Sequence, residues 1–220
     1  MKIISINNKK LELKEAAIPT PKDDEILIKI KAAGVNRADI AQKNGLYPPP
    51  PGASEILGLE CSGTIESIGK KVTSKNPGDE VIALLSGGGY AEYATCPEHH
   101  AINKPLNLSW IEGASIPEVY ATCWLNLFTE GNMKEGDKVV FHAGASGIGT
   151  AGIQLAKVFG CTSFVSAGTK EKIDFCINLG ASEGEIRSED IFAKIKNWAP
   201  EGVDIILDPV GAAYLENNLS

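Results

Sequence analysis

The chain has 220 residues, 43% of them hydrophobic and 22% charged, which is room for one large domain or two small ones and an ordinary composition for a folded protein. Lys plus Arg number 21 against 28 Asp plus Glu, a net charge of −7 that argues against nucleic acid as a main partner, because a phosphate backbone demands surplus cations. No apolar run approaches the roughly 18 residues of a membrane span. The N-terminus lacks the apolar core of a signal peptide, and five scattered cysteines without a C-x-x-C pair point to a reducing cytoplasm.

The first half reads as β. Ile26, Ile28 and Ile30 alternate with Lys29 and Lys31, as a half-buried strand requires. Further short strands are predicted at Gly63–Ile68, Glu80–Leu85 and Tyr90–Thr95, punctuated by Gly, Pro, Asn and Asp. One helix interrupts them, with Asn36 as N-cap, Asp39 at N3 and Gly45 at C′. Tyr47 and the extended run Pro48-Pro49-Pro50-Pro51 follow. Many short strands with one embedded helix suggest a small barrel.

Near Leu106 the character changes. Ser109-Trp110-Ile111-Glu112 fits a capping box opening a helical stretch that Gly131 ends. Strand and helix then alternate: a buried strand at Lys138–His142, a helix from Ile148 to Phe159, a strand at Thr162–Ala167 and a helix from Lys170 to Leu179 closed by Gly180. A weak strand near Glu185–Arg187, a helix from Glu189 to Trp198 and a strand at Val203–Leu207 complete the series. This alternation implies a parallel, doubly wound sheet.

Between the first strand and helix of that half stands Gly144-Ala145-Ser146-Gly147-Ile148-Gly149. On the dinucleotide fingerprint G-x-G-x-x-G, Gly144 and Gly149 match and Ser146 replaces the middle glycine, with a hydroxyl free to donate to a phosphate oxygen. Amides at a helix start favour an anion there; the bland alternative is a tight turn that binds nothing. At the tip of the second strand, where NAD-specific folds carry an acid, stand Gly168, Thr169 and Lys170, followed by Glu171 and Lys172. A carboxylate about 4 Å from a 2′-phosphate would cost ~4 kcal/mol per unit charge pair at an effective dielectric near 20. Its absence from the tip, with Thr169 and Lys172 nearby, favours NADPH over NADH. Glu171 is a counter-signal, and simple capping of a solvated helix is the alternative.

The runs Val35-Asn36-Arg37-Ala38-Asp39, Tyr47 to Ser54, Ile56-Leu57-Gly58-Leu59-Glu60, Leu84 to Gly89, Ile116-Pro117-Glu118, His142 to Gly147 and Ile206-Leu207-Asp208 together resemble the zinc-free quinone oxidoreductases. These form a branch of the medium-chain dehydrogenases/reductases, and the tumour-suppressor-inducible subfamily is the nearest in pattern. The resemblance implies an α/β plus β fold: a GroES-like N-terminal barrel over residues 1–112, then a truncated doubly wound Rossmann domain over 113–220 that binds NADPH, with the active site in the cleft between them.

The resemblance also assigns residues. Zinc-dependent relatives place a cysteine at Asn36 and a histidine at Leu59; an amide and an alkyl group cannot replace them, so no metal site is expected. Asn36 and Tyr47 are the candidate catalytic residues, the first hydrogen-bonding cofactor or quinone oxygen, the second stacking on the ring or gating its entry. N-capping and packing on the proline run are the alternatives. Thr122 matches a threonine near the nicotinamide carboxamide, or else serves helix packing. Arg187 replaces a tyrosine that contacts the adenosine phosphate, and a guanidinium there can pair with a 2′-phosphate. His99, His100 and His142 read as surface or packing residues.

The implied activity is NADPH-dependent reduction of a small-molecule quinone, or of an enone, in a cytoplasmic protein whose family forms homodimers. A doubly wound domain has about six strands, and four are legible. The chain ends partway into a helix and is expected to be C-terminally incomplete, a fragment or a truncated variant without activity of its own. Its fourth strand, one out from the central Val139–Phe141, is then expected as an exposed apolar edge.

Overall fold

A computed structural model describes residues 1–188 and 190–220; the expected helix start at Glu189 lies outside the described residues. Two compact units divide between Glu118 and Val119.

The first unit opens with a hairpin not anticipated from the sequence, β1 (Lys2–Asn7) and β2 (Lys10–Glu15). Asn8 and Lys9 both take positive φ, 49° and 61°, as a two-residue type I′ connection requires. The rest is an antiparallel sheet of β3 (Glu25–Ala33), β4 (Glu60–Ile68), β5 (Glu80–Leu84), β6 (Tyr93–Pro97) and β7 (Ala101–Asn103), in the order β6-β3-β4-β5-β7. The two edge strands, β6 and β7, are joined only by the 3₁₀ turn Glu98–His100. Short covalent linkage of opposite edges forces the sheet to curl, which is the barrel expected. The buried Glu98 carboxylate secures this corner, accepting from Thr73 N–H (3.2 Å), Ser74 N–H (2.9 Å) and Ser74 Oγ–H (2.6 Å). Ile26, Ile28, Cys61, Ile65, Val81 and Ala83 fill the interior.

Helix α1 (Arg37–Lys43) leaves the sheet after β3, and Gly45 beyond its end has φ 78°. The capping box at Ser109 forms as expected, with Glu112 N–H donating to Ser109 Oγ (3.2 Å) and Ser109 N–H to Glu112 Oε2 (2.8 Å). The helical stretch behind it is broken, however, into α2 (Trp110–Ala114) and α3 (Pro117–Trp124). Pro117 has no N–H and pushes the preceding Ile116 out of helical geometry, so the first helix must end before it. A π-helical turn, Leu125–Glu130, follows and is closed by Gly131 N–H donating to Asn126 O (2.9 Å).

The second unit contains β8 (Lys138–Phe141), α4 (Gly147–Val158), β9 (Thr162–Ala167), α5 (Lys170–Leu179), β10 (Glu183–Ile186), α6 (Ile191–Trp198), β11 (Ile205–Leu207) and α7 (Ala212–Asn218). All strand pairs are parallel, in the order β10-β9-β8-β11. The chain returns past its first strand to place β11, as chain order predicted. The sheet is buried on both faces. Val139 and Phe141 meet α4 and α5 through Ile153 and Ile173, while Val140 and Phe164 meet α6 through Ile191 and Ile195. The fourth strand is at the sheet edge, as expected, pairing only with β8 among the described residues; its side chains are half-buried, Ile205 and Leu207 against the first cluster and Ile206 against the second. Among the described residues no helix is long and apolar enough to cross a membrane.

Phe141 is fully buried, so Phe141→Ala should cost about 3–5 kcal/mol in urea unfolding of the second unit. Val158→Ala, at a side chain 78% exposed, should change it by no more than about 0.5 kcal/mol.

Candidate functional site

The turn after β8 carries its left-handed residue at Ala143 (φ 54°), not at a glycine. Gly144 is needed for space instead: a Cβ there would sit 2.8 Å from Val165 Cβ. Gly149, one turn into α4, lies against the backbone of Gly144 so closely that a Cβ would overlap its carbonyl oxygen. This contact folds the loop over the helix start. Ser146 is the N-cap of α4, its Oγ accepting from Gly149 N–H (3.1 Å), which leaves its hydroxyl proton free to donate outward. The N–H groups of Ala145, Gly147 and Ile148 find no acceptor among the described residues. Unpaired donors at the positive end of a twelve-residue helix are what a diphosphate needs, so the loop fits the group the sequence implied.

At the tip of β9, Gly168 leads into Thr169, the N-cap of α5, whose Oγ1 accepts from Lys172 N–H (3.3 Å). Arg187 N–H donates to Ala167 O (2.8 Å) and brings its side chain beside Gly168, Nη2 lying 3.9 Å from where a Cβ on that glycine would stand. Lys170 is paired with Asp174 (2.7 Å) and Lys194 with Glu185 (3.3 Å). Lys172 and Arg187 are exposed and form no ion pair among the described residues.

The first unit contains a second polar centre. Asp39 and Glu60 are both buried, at 3% and 2% exposure. Asp39 Oδ2 accepts from Asn36 N–H (2.7 Å) and Tyr90 OH (2.8 Å), and its Oδ1 from Gly58 N–H (3.1 Å). Glu60 Oε1 accepts from Asn36 Nδ2–H (2.8 Å), and Oε2 from Glu118 N–H (2.9 Å). Asn36 is thus the N-cap residue of α1, in a capping box with Asp39, and its amide nitrogen donates to Glu60. Burial raises the Glu60 carboxyl above its usual range, opposed by the Glu118 N–H and the Asn36 amide, with Asp39 adding to the rise. Burial, then the charges of Glu60 and Asp39, also raise Glu118.

Tyr47 is half-exposed and lines a different recess, a cavity of about 420 Å³ walled by Ile3, Ile6, Gln42, Pro48 and Ile56. Asn36 is not among its lining residues. Thr122 lies on α3, partly buried, with a hydroxyl that bonds nothing among the described residues. His142 is a packing residue, as read: it is buried between Ser166 Oγ and Asn218 Oδ1, each 3.0 Å from a ring nitrogen. His99 and His100 are exposed. Among the described residues no group of three or more His, Cys, Asp or Glu is placed to hold a metal ion.

Comparison with known proteins agrees with this arrangement. The alcohol dehydrogenase GroES-like domain matches residues 22–106 and the zinc-binding dehydrogenase domain residues 147–220. A quinone oxidoreductase of Sus scrofa is 34% identical over 209 residues, covering 94% of this chain and 64% of the relative. The chain belongs to the medium-chain dehydrogenase/reductase family. Among solved members, a mycobacterial protein complexed with NADPH superposes with TM-score 0.89 at 28% identity, covering all of this chain and 70% of that one. The CurK enoyl reductase does so with the same score and identity over 99% and 70%. The chain spans between 42% and 64% of the length of the first curated relatives it matches.

Within this medium-chain member the Asp39–Glu60 pair was missed by sequence reasoning, which placed Asp39 only at N3 of the helix, as the Asn36 N–H bond bears out, and gave Glu60 no role. The available signal was Gly34, where a side chain would overlap the Glu60 carboxyl. The pair generates a pH dependence. A carboxyl raised in the folded state stabilises the fold below its ordinary value and loses that contribution as pH rises through the folded value. Unfolding of the first unit should therefore become easier as pH rises above the ordinary glutamate range. Urea titrations of Glu60→Gln should show a shallower slope over the same interval.

Proposed function

We propose that this chain is the larger part of an NADPH-dependent, zinc-independent quinone reductase. The observation that carries the reading is the pairing pattern at the β9 tip. Neighbouring lysines are neutralised by carboxylates, and Lys172 and Arg187 are left for an added phosphate. Thr169 contributes a hydroxyl at the same tip. The free amides of Ala145, Gly147 and Ile148, with the Ser146 hydroxyl, are assigned to the diphosphate. The relative named as a quinone oxidoreductase and the neighbour complexed with NADPH support the same assignment.

Bound NADPH would supply a hydride, and reduction of a quinone to a hydroquinone takes up one further proton. The residues of the chain bind and orient. Thr122 is assigned to the nicotinamide carboxamide, Asn36 to the acceptor oxygen, and Tyr47 to the acceptor ring against the apolar walls of its cavity. Asn36 and Leu59 occupy the positions of two zinc ligands in metal-dependent relatives, and neither side chain ligates zinc. A quinone is electrophilic enough to accept reducing equivalents without a Lewis acid. The enoyl reductase neighbour favours a second reading, reduction of an activated C=C bond at the same acceptor position.

NADPH consumption with an ortho-quinone and with an enone, measured for this chain and for a version extended to the relatives' length, separates the readings. Turnover with the quinone supports the first and turnover with the enone alone the second; turnover with neither removes both. In titrations, Lys172→Ala combined with Arg187→Ala should weaken NADPH about 10- to 100-fold, the range of one or two charge-assisted hydrogen bonds. NADH binding should change by less than about 2-fold, because it lacks the group those cations meet.

A further inference from the structure

Both ring nitrogens of the buried His142 are hydrogen-bonded, and the neighbouring groups fix which of them carries the proton. Asp208 is the anchor. Its Oδ1 accepts from Val210 N–H (2.7 Å) and Gly211 N–H (3.2 Å), and its Oδ2 from Asn218 Nδ2–H (3.0 Å). A carboxylate only accepts, so the nitrogen of the Asn218 amide faces Asp208 and its Oδ1 faces His142. That oxygen is 3.0 Å from Nε2, which must therefore donate, and Nδ1 accepts from Ser166 Oγ–H (3.0 Å). Burial lowers the ring's pKa, opposed by the Asn218 bond and the Asp208 charge, and keeps it neutral in neutral solution. One chain of donors thus runs from Ser166 on β9 through His142 and Asn218 to Asp208.

The chain spans the carboxyl ends of three strands. Ser166 is at the end of β9, His142 just past β8, and Asp208 just past β11, where His142 N–H also donates to Leu207 O (3.1 Å). No side chain of α7 is buried; the helix rests on Tyr214, whose ring meets His142 (4.8 Å between centroids) and Phe192 (5.1 Å). With so little packing, the bonds through Asn218 fix where α7 and the preceding Asp208–Gly211 lie.

That segment borders the place where a sheet of this order takes a ligand. After β8 the chain turns to α4, on the face carrying Ile153 and Ile173. After β11 it turns to α7, on the face carrying Phe192 and Ile191. Adjacent strands whose outgoing loops part to opposite faces leave a crevice at their carboxyl ends, and ligands bind there. With NADPH placed as proposed, its 2′-phosphate lies at the β9 tip and its diphosphate at the start of α4. The remaining nicotinamide nucleoside then continues in the same direction, from β9 past β8, and reaches Asp208–Gly211 beside β11.

We propose that His142 is a positioning residue for the cofactor: through Asn218 and Asp208 it holds Asp208–Gly211 as the support for the nicotinamide half of NADPH. The role in cofactor binding deepens the proposed function and rests on it; the tautomer and the linkage of the three side chains do not.

The test has a spectroscopic arm and a binding arm, both on the full chain. Nitrogen NMR of the three imidazoles near pH 7, with His142→Gln to assign the signal, should show His142 protonated on Nε2 alone. A proton on Nδ1 overturns the proposal, because Asn218 would then be turned away from Asp208.

In titrations, His142→Phe and Asn218→Ala should each weaken NADPH about 3- to 10-fold, the weight of one or two neutral hydrogen bonds. Adenosine 2′,5′-bisphosphate, which meets the β9-tip cations and lacks the nicotinamide, should change by less than about 2-fold. His142→Gln, whose Nε2–H can still donate to Asn218, should restore NADPH binding to within about 2-fold of wild type. The double variant should lose no more than the worse single one, as a shared path requires. Equal losses for the two ligands, or loss for neither, overturn the proposal. Asn218 stands on a helix without buried side chains, so Asn218→Ala decides the matter where His142→Phe fails to fold. A wild-type chain that holds NADPH no better than the bisphosphate overturns this assignment and leaves the 2′-phosphate site standing; one that binds neither removes both.

Discussion

Asp39 and Glu60 are buried in the first unit with no cation among the described residues to neutralise them, and the local backbone is arranged around that constraint. A buried, unpaired ion carries a desolvation cost of several kcal/mol unless hydrogen bonds offset it. Asp39 draws donors from the entry to α1, from Gly58 and from Tyr90. Glu60 draws them from Asn36 and from the start of α3. Segments far apart in sequence are thereby fixed to one another by shared acceptors. Asn36 bridges the two acids, its backbone N–H donating to Asp39 and its amide to Glu60.

The second unit has the opposite imbalance. Donors at the start of α4 lack acceptors, and two cations beside the β9 tip lack carboxylates. Both features lie at the carboxyl ends of parallel strands, where open α/β sheets bind ligands. The first unit buries acceptors around Asn36, whose amide donates to Glu60. The second, rich in exposed donors, is built to hold anions. Under the proposed function the first imbalance serves the acceptor and the second the cofactor.

The parallel half was the more legible in sequence because its signals are local. Thr162–Ala167 and Lys170–Leu179 form over the residues that the apolar run and the helical spacing indicate, with Thr169 and Gly180 as their punctuation. The N-terminal hairpin left little trace, since Leu11 and Leu13 face solvent and no alternation marks a buried side. Ala143 takes a backbone conformation associated with glycine, which composition does not reveal. Asn36 was read from its neighbours as a helix cap, and the position is right. Its side chain answers to Glu60, a strand partner twenty-four positions later, and that kind of pairing is invisible to a local pattern. Ile116 and Pro117 show the converse, a helix break that was spelled out and overlooked.

Tyr90 connects two parts of the first unit that have separate descriptions above. Its phenol donates to Asp39, and its carbonyl accepts from Ile4 N–H (2.8 Å), one of the bonds that dock β1, beside those between Lys2 and Glu92. Ile3 and Ile6 of that strand are walls of the recess holding Tyr47. Displacing the strand would pull on the same residue whose phenol hydroxyl steadies the acid pair. The wall of the Tyr47 recess and the buried acid pair are consequently joined through a single tyrosine.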